Sequence, residues 1–259
     1  MHVYRVSDAA NHPPRRRTGT VGVFLAGTTK AGILAPMPAS RSLRTLLVDG
    51  PRSLGEHSRR RRWNVLLERF PNLAEMSVID LGGTVEYWLR APVQPRHVHL
   101  INLEDAPADA PPAWIRHDIG DATRIPDTML IGEYDLVYSN SVIEHVGGHE
   151  RRQAFAGNVL NLAPNHWIQT PYRYFPVEPH WVCPFMQYLP LAARTRLGMH
   201  WPLVHTPHAN LEVAVAAQLQ VELLDITAMR HYFPDSTLVY DRFLGLVKSV
   251  VAVRRAASH

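Results

Sequence analysis

The chain has 259 residues and a single cysteine, Cys183, so no internal disulfide can staple it. A thiol without a partner fits a reducing compartment, and a cytoplasmic protein is the default expectation. Also missing is an apolar run long enough to span a bilayer. Val21–Pro36 comes nearest, but Lys30 and two glycine-containing turns interrupt it, and no secretory cleavage pattern follows. The composition, 46% hydrophobic and 19% charged, is that of a soluble globular protein. The length suffices for one α/β domain with its own core and an appendage. Acidic residues are scarce at one end: residues 1–62 hold 12 Lys/Arg against 3 Asp/Glu, whereas residues 63–259 hold 15 against 20. The basic character therefore belongs to the first part, in the runs Arg15–Arg17 and Arg59–Arg62. Such runs can hold phosphates or simply form a solvated arm.

Residues 1–40 show no period, and His12-Pro13-Pro14 before the arginines reads as a flexible arm. Residues 41–259 read as one domain. From Ser40 to Leu73 the pattern is helical, with one apolar stripe at Leu43, Leu46 and Leu47 and another at Trp63, Leu66, Leu67 and Phe70. Short apolar runs follow at Val78–Leu81, Val98–Ile101, Trp114–Arg116, Asp135–Tyr138 and Trp167–Gln169. A helix over Glu150–Leu162 lies between the last two. This alternation predicts a Rossmann-like, mostly parallel α/β sheet with helices on both faces. Leu211–Leu224 reads as a further helix. Thr237–Phe243 and Leu246–Val253, on either side of Gly245, predict a closing antiparallel hairpin and bring the sheet to seven strands. Ligands of such sheets sit beyond the carboxyl ends of the strands, which makes the residues just after each strand the candidates for function.

At the first of these ends, Val78-Ile79-Asp80-Leu81 runs into Gly82-Gly83, where the missing side chains let the backbone approach a ligand. The dinucleotide pattern G-x-G-x-x-G is absent, because Thr84, Val85, Glu86 and Tyr87 follow. That argues against a nicotinamide or flavin enzyme. Asp80-Leu81-Gly82-Gly83 resembles the first motif of class I S-adenosylmethionine (SAM)-dependent methyltransferases, and the likeness continues in order over roughly residues 63–255. Asn102 stands 22 residues beyond Asp80, where the family has an acidic residue on the ribose hydroxyls, with Glu104 as the other choice. Gly120-Asp121-Ala122 resembles the adenine-holding turn. Asp135 through Asn140 and on to Val146 resembles the fourth strand and its turn. Phe243-x-Gly245-Leu246-x-Lys248-Ser249 resembles the last hairpin. The resemblance implies SAM as cofactor, held by Asp80, Gly82, Gly83, Asn102, Asp121, Ala122 and Asn140.

Transfer of a methyl group to an alcohol needs an in-line oxygen and a group to take or weaken its proton. His145, just after the fourth strand, is the first choice of base; a histidine that only packs the next helix is the alternative. Ser141-Val142-Ile143-Glu144-His145 is also similar to the E-x-x-E-H motif of metal-dependent O-methyltransferases, with Ser141 in place of the first Glu. In that arrangement Glu144 and His145 would hold a divalent cation such as magnesium, with Glu178 or His180 completing the set. The other reading is an adjacent Glu-His pair without metal. Residues 171–209, rich in proline and aromatics, read as an acceptor lid, with Tyr172, Arg173, Glu178, His180 and also His149 offered to a polar substrate.

Three readings compete. The first is a small-molecule O-methyltransferase, acting on a saccharide or glycoside hydroxyl. The second is an RNA ribose 2'-O-methyltransferase, disfavoured by the acidic body. The third is a scaffold that keeps the fold without catalysis. The turn after the fourth strand lacks the Asn/Asp-Pro-Pro-aromatic signature of base-amino methylation.

Overall fold

The computed structural model describes residues 53–104, 110–204, 208 and 210–256. The expected arm over 1–40, the Arg15–Arg17 run and the first leucine stripe lie outside the described residues. The described chain opens with α1 (Leu54–Arg69), where Ser53 caps the helix by accepting a hydrogen bond from the Glu56 N–H at 3.1 Å. Trp63, Leu66 and Phe70, at helical spacing, are buried from this helix. The second arginine run sits on the same helix and is largely engaged. Arg59 pairs with Glu56 at 3.0 Å, Arg61 donates to the Arg242 carbonyl at 3.2 Å, and Arg62 faces Asp241 at 3.6 Å.

The strands are β1 (Ser77–Leu81), β2 (His97–Asn102), β3 (Ile115–Ile119), β4 (Leu136–Asn140) and β5 (Asn165–Pro171), then β6 (Val177–Glu178), β7 (Cys183–Pro184), β8 (Thr237–Phe243) and β9 (Leu246–Arg254). Between them lie α2 (Val85–Leu89), α3 (His149–Leu162), α4 (Leu191–His200), α5 (Leu211–Leu219) and α6 (Ile226–Tyr232). Seven strands form one sheet in the order β3-β2-β1-β4-β5-β9-β8. The first five are parallel; β9 runs antiparallel against β5 and β8 against β9. This is the architecture expected from the alternating runs and from the resemblance to class I methyltransferases. Strands β6 and β7 pair separately as a small hairpin.

Side chains alternate across the central strands into two apolar layers. Ile79, Leu81, Ile101, Val137, Ile168 and Val250 face Phe155 and Val159 of α3 and Met229 of α6. Val78, Leu100, Leu136, Tyr138, Trp167 and Val251 face Trp63, Leu66 and Phe70 of α1 and Trp88 of α2. Burial on both faces explains why these strands read as continuous apolar runs. One expectation is corrected: the helix read over 211–224 stops at Leu219. The Glu222 N–H is instead bound by the Glu144 carbonyl at 2.9 Å, and Leu224 bridges Tyr172 in parallel, so this segment is drawn out along the strand ends. Helices α2, α4 and α6 are not among those that the sequence pattern predicts.

Asp80 ends up among these apolar layers, 1% exposed, accepting from the Trp88 indole N–H at 2.7 Å. Burial pushes its carboxyl up to about 7, with the Trp88 hydrogen bond opposing. Because the folded value lies above that of the unfolded chain, the folded state keeps a proton that the unfolded state has lost. Asp80 therefore contributes stability at low pH that is lost as pH rises through about 7. In urea unfolding series, Asp80→Asn is expected to flatten the decline between about pH 4 and 7 and to be the more stable protein at pH 8. A variant as pH-sensitive as the parent would show that Asp80 is ionised at no cost.

Candidate active site

The carboxyl ends of β1, β2, β4 and β5 meet at one edge of the sheet, as the topology requires. After β1 the chain turns at Gly82, whose φ of +86° suits glycine, and a Cβ there would lie 2.4 Å from Val142 Cγ2. At Gly83 a Cβ would lie 1.9 Å from Asp80 Oδ2. The turn is fastened to β2: the Gly82 N–H donates to the Ile101 carbonyl at 2.7 Å, and Asn102 Nδ2 donates to the Gly83 carbonyl at 2.9 Å. Asn102 Oδ1 accepts from the Glu104 N–H at 3.3 Å. The position read as a ribose contact thus shapes the glycine turn, with its amide already in use.

After β3, Asp121 Oδ1 accepts from the Thr123 N–H at 2.9 Å and from the Thr123 hydroxyl at 2.8 Å, while Oδ2 meets Arg151 of α3 at 2.7 Å. Desolvation works to raise its carboxyl; the Thr123 N–H and Arg151 outweigh it and hold the group below the usual range. Ala122 is buried, and its carbonyl accepts from Asn158 at 2.8 Å. At the end of β4, Asn140 Oδ1 is buried without a hydrogen-bond partner. Ser141 then turns through φ +60°, uncommon for a residue with a side chain, and its hydroxyl donates to Gln169 Oε1 at 2.9 Å.

That turn delivers Glu144 and His145. Glu144 is fully buried; its Oε2 accepts from the Thr170 hydroxyl at 2.9 Å, and Oε1 has no partner. Burial raises its carboxyl to about 7, against the nearby His180. His180, from the loop after β6, places Nε2 at 3.0 Å from Nε2 of His145. Its Nδ1 lies 2.6 Å from Glu178 Oε1, and Glu178 Oε2 accepts from the Trp181 N–H at 2.9 Å. A carboxylate on Nδ1 fixes the tautomer that leaves a lone pair on Nε2. His145 is pushed down to about 4, first by burial and then by His180, with the Gln220 backbone opposing. Candidate ligand atoms of Glu144, His145 and His180 lie within 4.8 Å of one another.

The remaining predicted substrate residues separate. His149 opens α3 and meets the Tyr232 hydroxyl at 3.0 Å, with His231 beside it, so its contacts are with α6. Tyr172 and Arg173, where the chain leaves β5 and turns, line different cavities. Tyr172 joins Phe175 and Phe243 around an apolar cavity of about 270 Å³. Arg173 joins Glu178 on a larger cleft of about 690 Å³. The helix α4 that walls this cleft carries no motif, and only its apolar spacing could have revealed it.

No family model and no curated protein matches the chain. Solved structures with a similar fold include the N-terminal domain of EvdMO1 in the presence of SAH and D-fucose, at 14% identity and TM-score 0.46, over 85% of this chain and 96% of that one. Another is magnesium protoporphyrin IX methyltransferase from Synechocystis PCC 6803 with bound SAH, at 13% identity and TM-score 0.44, over 84% and 94%. A third is small RNA methyltransferase HEN1, at 12% identity and TM-score 0.46, over 77% of this chain and 25% of that one. At such identities the likeness is one of general fold, and the chemistry has to be read from this chain's own side chains.

The close approach of Gly83 to Asp80 makes a contrast that melting experiments can read. Gly83→Ala is expected to destabilise by about 1–3 kcal/mol through overpacking. Gly157→Ala, in the interior of α3 with nothing within 4 Å of the new Cβ, is expected to stabilise by up to about 1 kcal/mol. Equal melting of the two variants would mean that the turn is not built on that contact.

Proposed function

We propose that this protein is a SAM-dependent methyltransferase acting on a hydroxyl of a small polar acceptor, with a divalent cation held by Glu144, His145 and His180. The observation that carries the reading is the unpartnered, fully buried Glu144 Oε1 beside two imidazoles, one from the turn after β4 and one from the loop after β6. A buried carboxylate oxygen without a partner is costly, and a cation would offset that cost. The Asp80–Gly83 turn, Asp121 and Asn140 lie after β1, β3 and β4, where the resemblance to class I methyltransferases places the cofactor. Asp121 is the residue to contact adenine, sharing its carboxylate with Arg151.

This reading changes the role of His145. With its ring near a pKa of about 4 it is unprotonated at neutral pH but a weak base. Facing His180, it serves better as a ligand. A bound cation would supply Lewis acidity, lowering the pKa of an acceptor hydroxyl. Methyl transfer forms the oxygen–carbon bond as the carbon–sulfur bond of SAM breaks; S-adenosylhomocysteine leaves and the hydroxyl proton passes to solvent water. Two nitrogens and one carboxylate suit manganese, iron, cobalt or zinc better than magnesium. Glu178 would act through His180, orienting the ring. The engagement of Arg59, Arg61 and Arg62 within the fold takes support from the RNA reading. With Cys183 buried as a thiol, a cytoplasmic enzyme remains our reading.

Calorimetric titration with S-adenosylhomocysteine and, separately, with Mn²⁺, Zn²⁺ and Mg²⁺ tests both halves. Binding of S-adenosylhomocysteine should weaken in Asp121→Ala; no binding would sink the methyltransferase reading and leave the scaffold. Mn²⁺ or Zn²⁺ should bind more tightly than Mg²⁺ and be lost in His180→Ala, with Glu178→Gln weakening it by about 10–100-fold. Metal affinity untouched by His180→Ala would place the cation elsewhere.

A further inference from the structure

The cleft that Arg173 and Glu178 share extends between the segment after β5 and helices α4 and α5. Its volume of about 690 Å³ is that of a ligand cleft. Four charged side chains line it: Arg173, Arg194, Glu178 and Glu222. The two acids are already engaged, Glu178 with His180 and the Trp181 N–H, Glu222 with Arg152. Neither arginine makes an ion pair among the described residues. With Glu222 offset by Arg152, the cleft holds two guanidinium groups against the single carboxylate of Glu178.

Unpartnered polar atoms gather on the same walls. Arg194 Nε, Gln218 Nε2 and Gln187 Oε1 are buried without a hydrogen bond, and all three residues line this cleft. Gln218 is only 2% exposed. The Gln187 amide is set by the backbone: its Nε2 donates to the Phe175 carbonyl at 2.6 Å and to the Arg173 carbonyl at 3.3 Å. Each such orphan is costly unless water or a ligand satisfies it. Two are donors and one an acceptor, a set that answers to a carboxylate together with a hydroxyl. Leu189, Leu191 and Leu219 supply accessible apolar surface for a carbon skeleton.

From this geometry we propose that the cleft binds the carboxylate of a small hydroxy acid between Arg194 and Arg173, and that the acceptor of the reaction is such an acid. The second half rests on the methyltransferase reading; carboxylate binding does not. Two links tie the cleft to the metal-ligand cluster. Glu178 lines the cleft and holds His180, and the Glu222 N–H is bound by the Glu144 carbonyl at 2.9 Å. A neutral saccharide, the acceptor favoured by the polar lid, would leave both guanidinium groups unused. Arginine is suited to planar carboxylates because its fork can make two parallel hydrogen bonds.

The test is calorimetry on the full-length protein with S-adenosylhomocysteine present, using two matched pairs of probes: 4-hydroxybenzoate with 4-hydroxybenzamide, and D-glucuronate with D-glucose. The acid of at least one pair is expected to bind about tenfold or more tightly than its neutral partner. That preference should vanish in Arg194→Gln and shrink in the exposed Arg173→Gln, whose fold is at little risk. S-adenosylhomocysteine affinity, read in the same cell, should be unchanged in both variants. Neutral partners binding as well as the acids, acids that do not bind, or a preference that survives Arg194→Gln would each overturn the proposal. A failure with S-adenosylhomocysteine binding intact counts against the cleft alone. Loss of S-adenosylhomocysteine binding by the parent protein counts against the methyltransferase reading.

Discussion

Glu144 is a carboxylate placed where no water reaches it, with one hydrogen bond from Thr170 and one oxygen left bare. Much of the surrounding structure follows from holding it there. Ser141 must turn through a left-handed conformation to send the chain inward, and Gln169 of β5 secures that turn. Thr170, the next residue, points to the opposite face of the strand and meets the carboxylate. Two adjacent β5 residues thus fix both the turn and its cargo. An isolated buried carboxylate neutralises itself by taking a proton, and the raised value of Glu144 is that response. Imidazoles facing it from His145 and His180 offer a different remedy, a shared cation.

The same logic distributes polar groups along the strand ends. Asp80 is buried in the same manner, one oxygen on the Trp88 indole and Oδ1 without a partner beside the glycine turn. Asn102 and Asp121 are both committed to nearby groups, one to the backbone of the glycine turn and one to Thr123 and Arg151. A cofactor arriving here would exchange partners with Arg151 instead of meeting an empty carboxylate. Arg151 stands 42% exposed, so that exchange takes little desolvation.

The sheet was legible because its central strands are buried on both faces, which leaves unbroken runs such as Val78–Leu81 in the sequence. The closing hairpin was legible from two β-rich runs on either side of Gly245. Glu144, His145 and His180 were legible as a set through residue type and position. Less legible was the end of α5: Leu219 to Leu224 keeps helical spacing, but Glu222 and Leu224 are claimed by backbone contacts with Glu144 and Tyr172 that no local pattern encodes. Glu178 was ambiguous for a related reason. Ligand and ligand-orienting carboxylates carry the same letter, and only the 2.6 Å approach to Nδ1 of His180 separates them. Of the cleft, Arg173 and Glu178 stood out in the sequence as candidate substrate residues; its walls from 218 to 223 and its missing partners did not, because no local pattern encodes them.

Glu178 joins the two halves of the site. One oxygen holds His180 and the other the backbone of Trp181, so the carboxylate is saturated on the cluster side while forming a wall of the cleft. Saturation decides the electrostatics: a carboxylate spent on an imidazole and a backbone N–H repels an incoming anion less than one with unused lone pairs. Glu222, by contrast, is offset outright by the guanidinium of Arg152. Arg194 and Arg173 can then dominate a cleft whose formal charges balance. On the proposed reading, metal affinity and acceptor charge preference would be coupled through a single side chain. Neutralising Glu178 would loosen His180 and, in the same stroke, leave the cleft more positive.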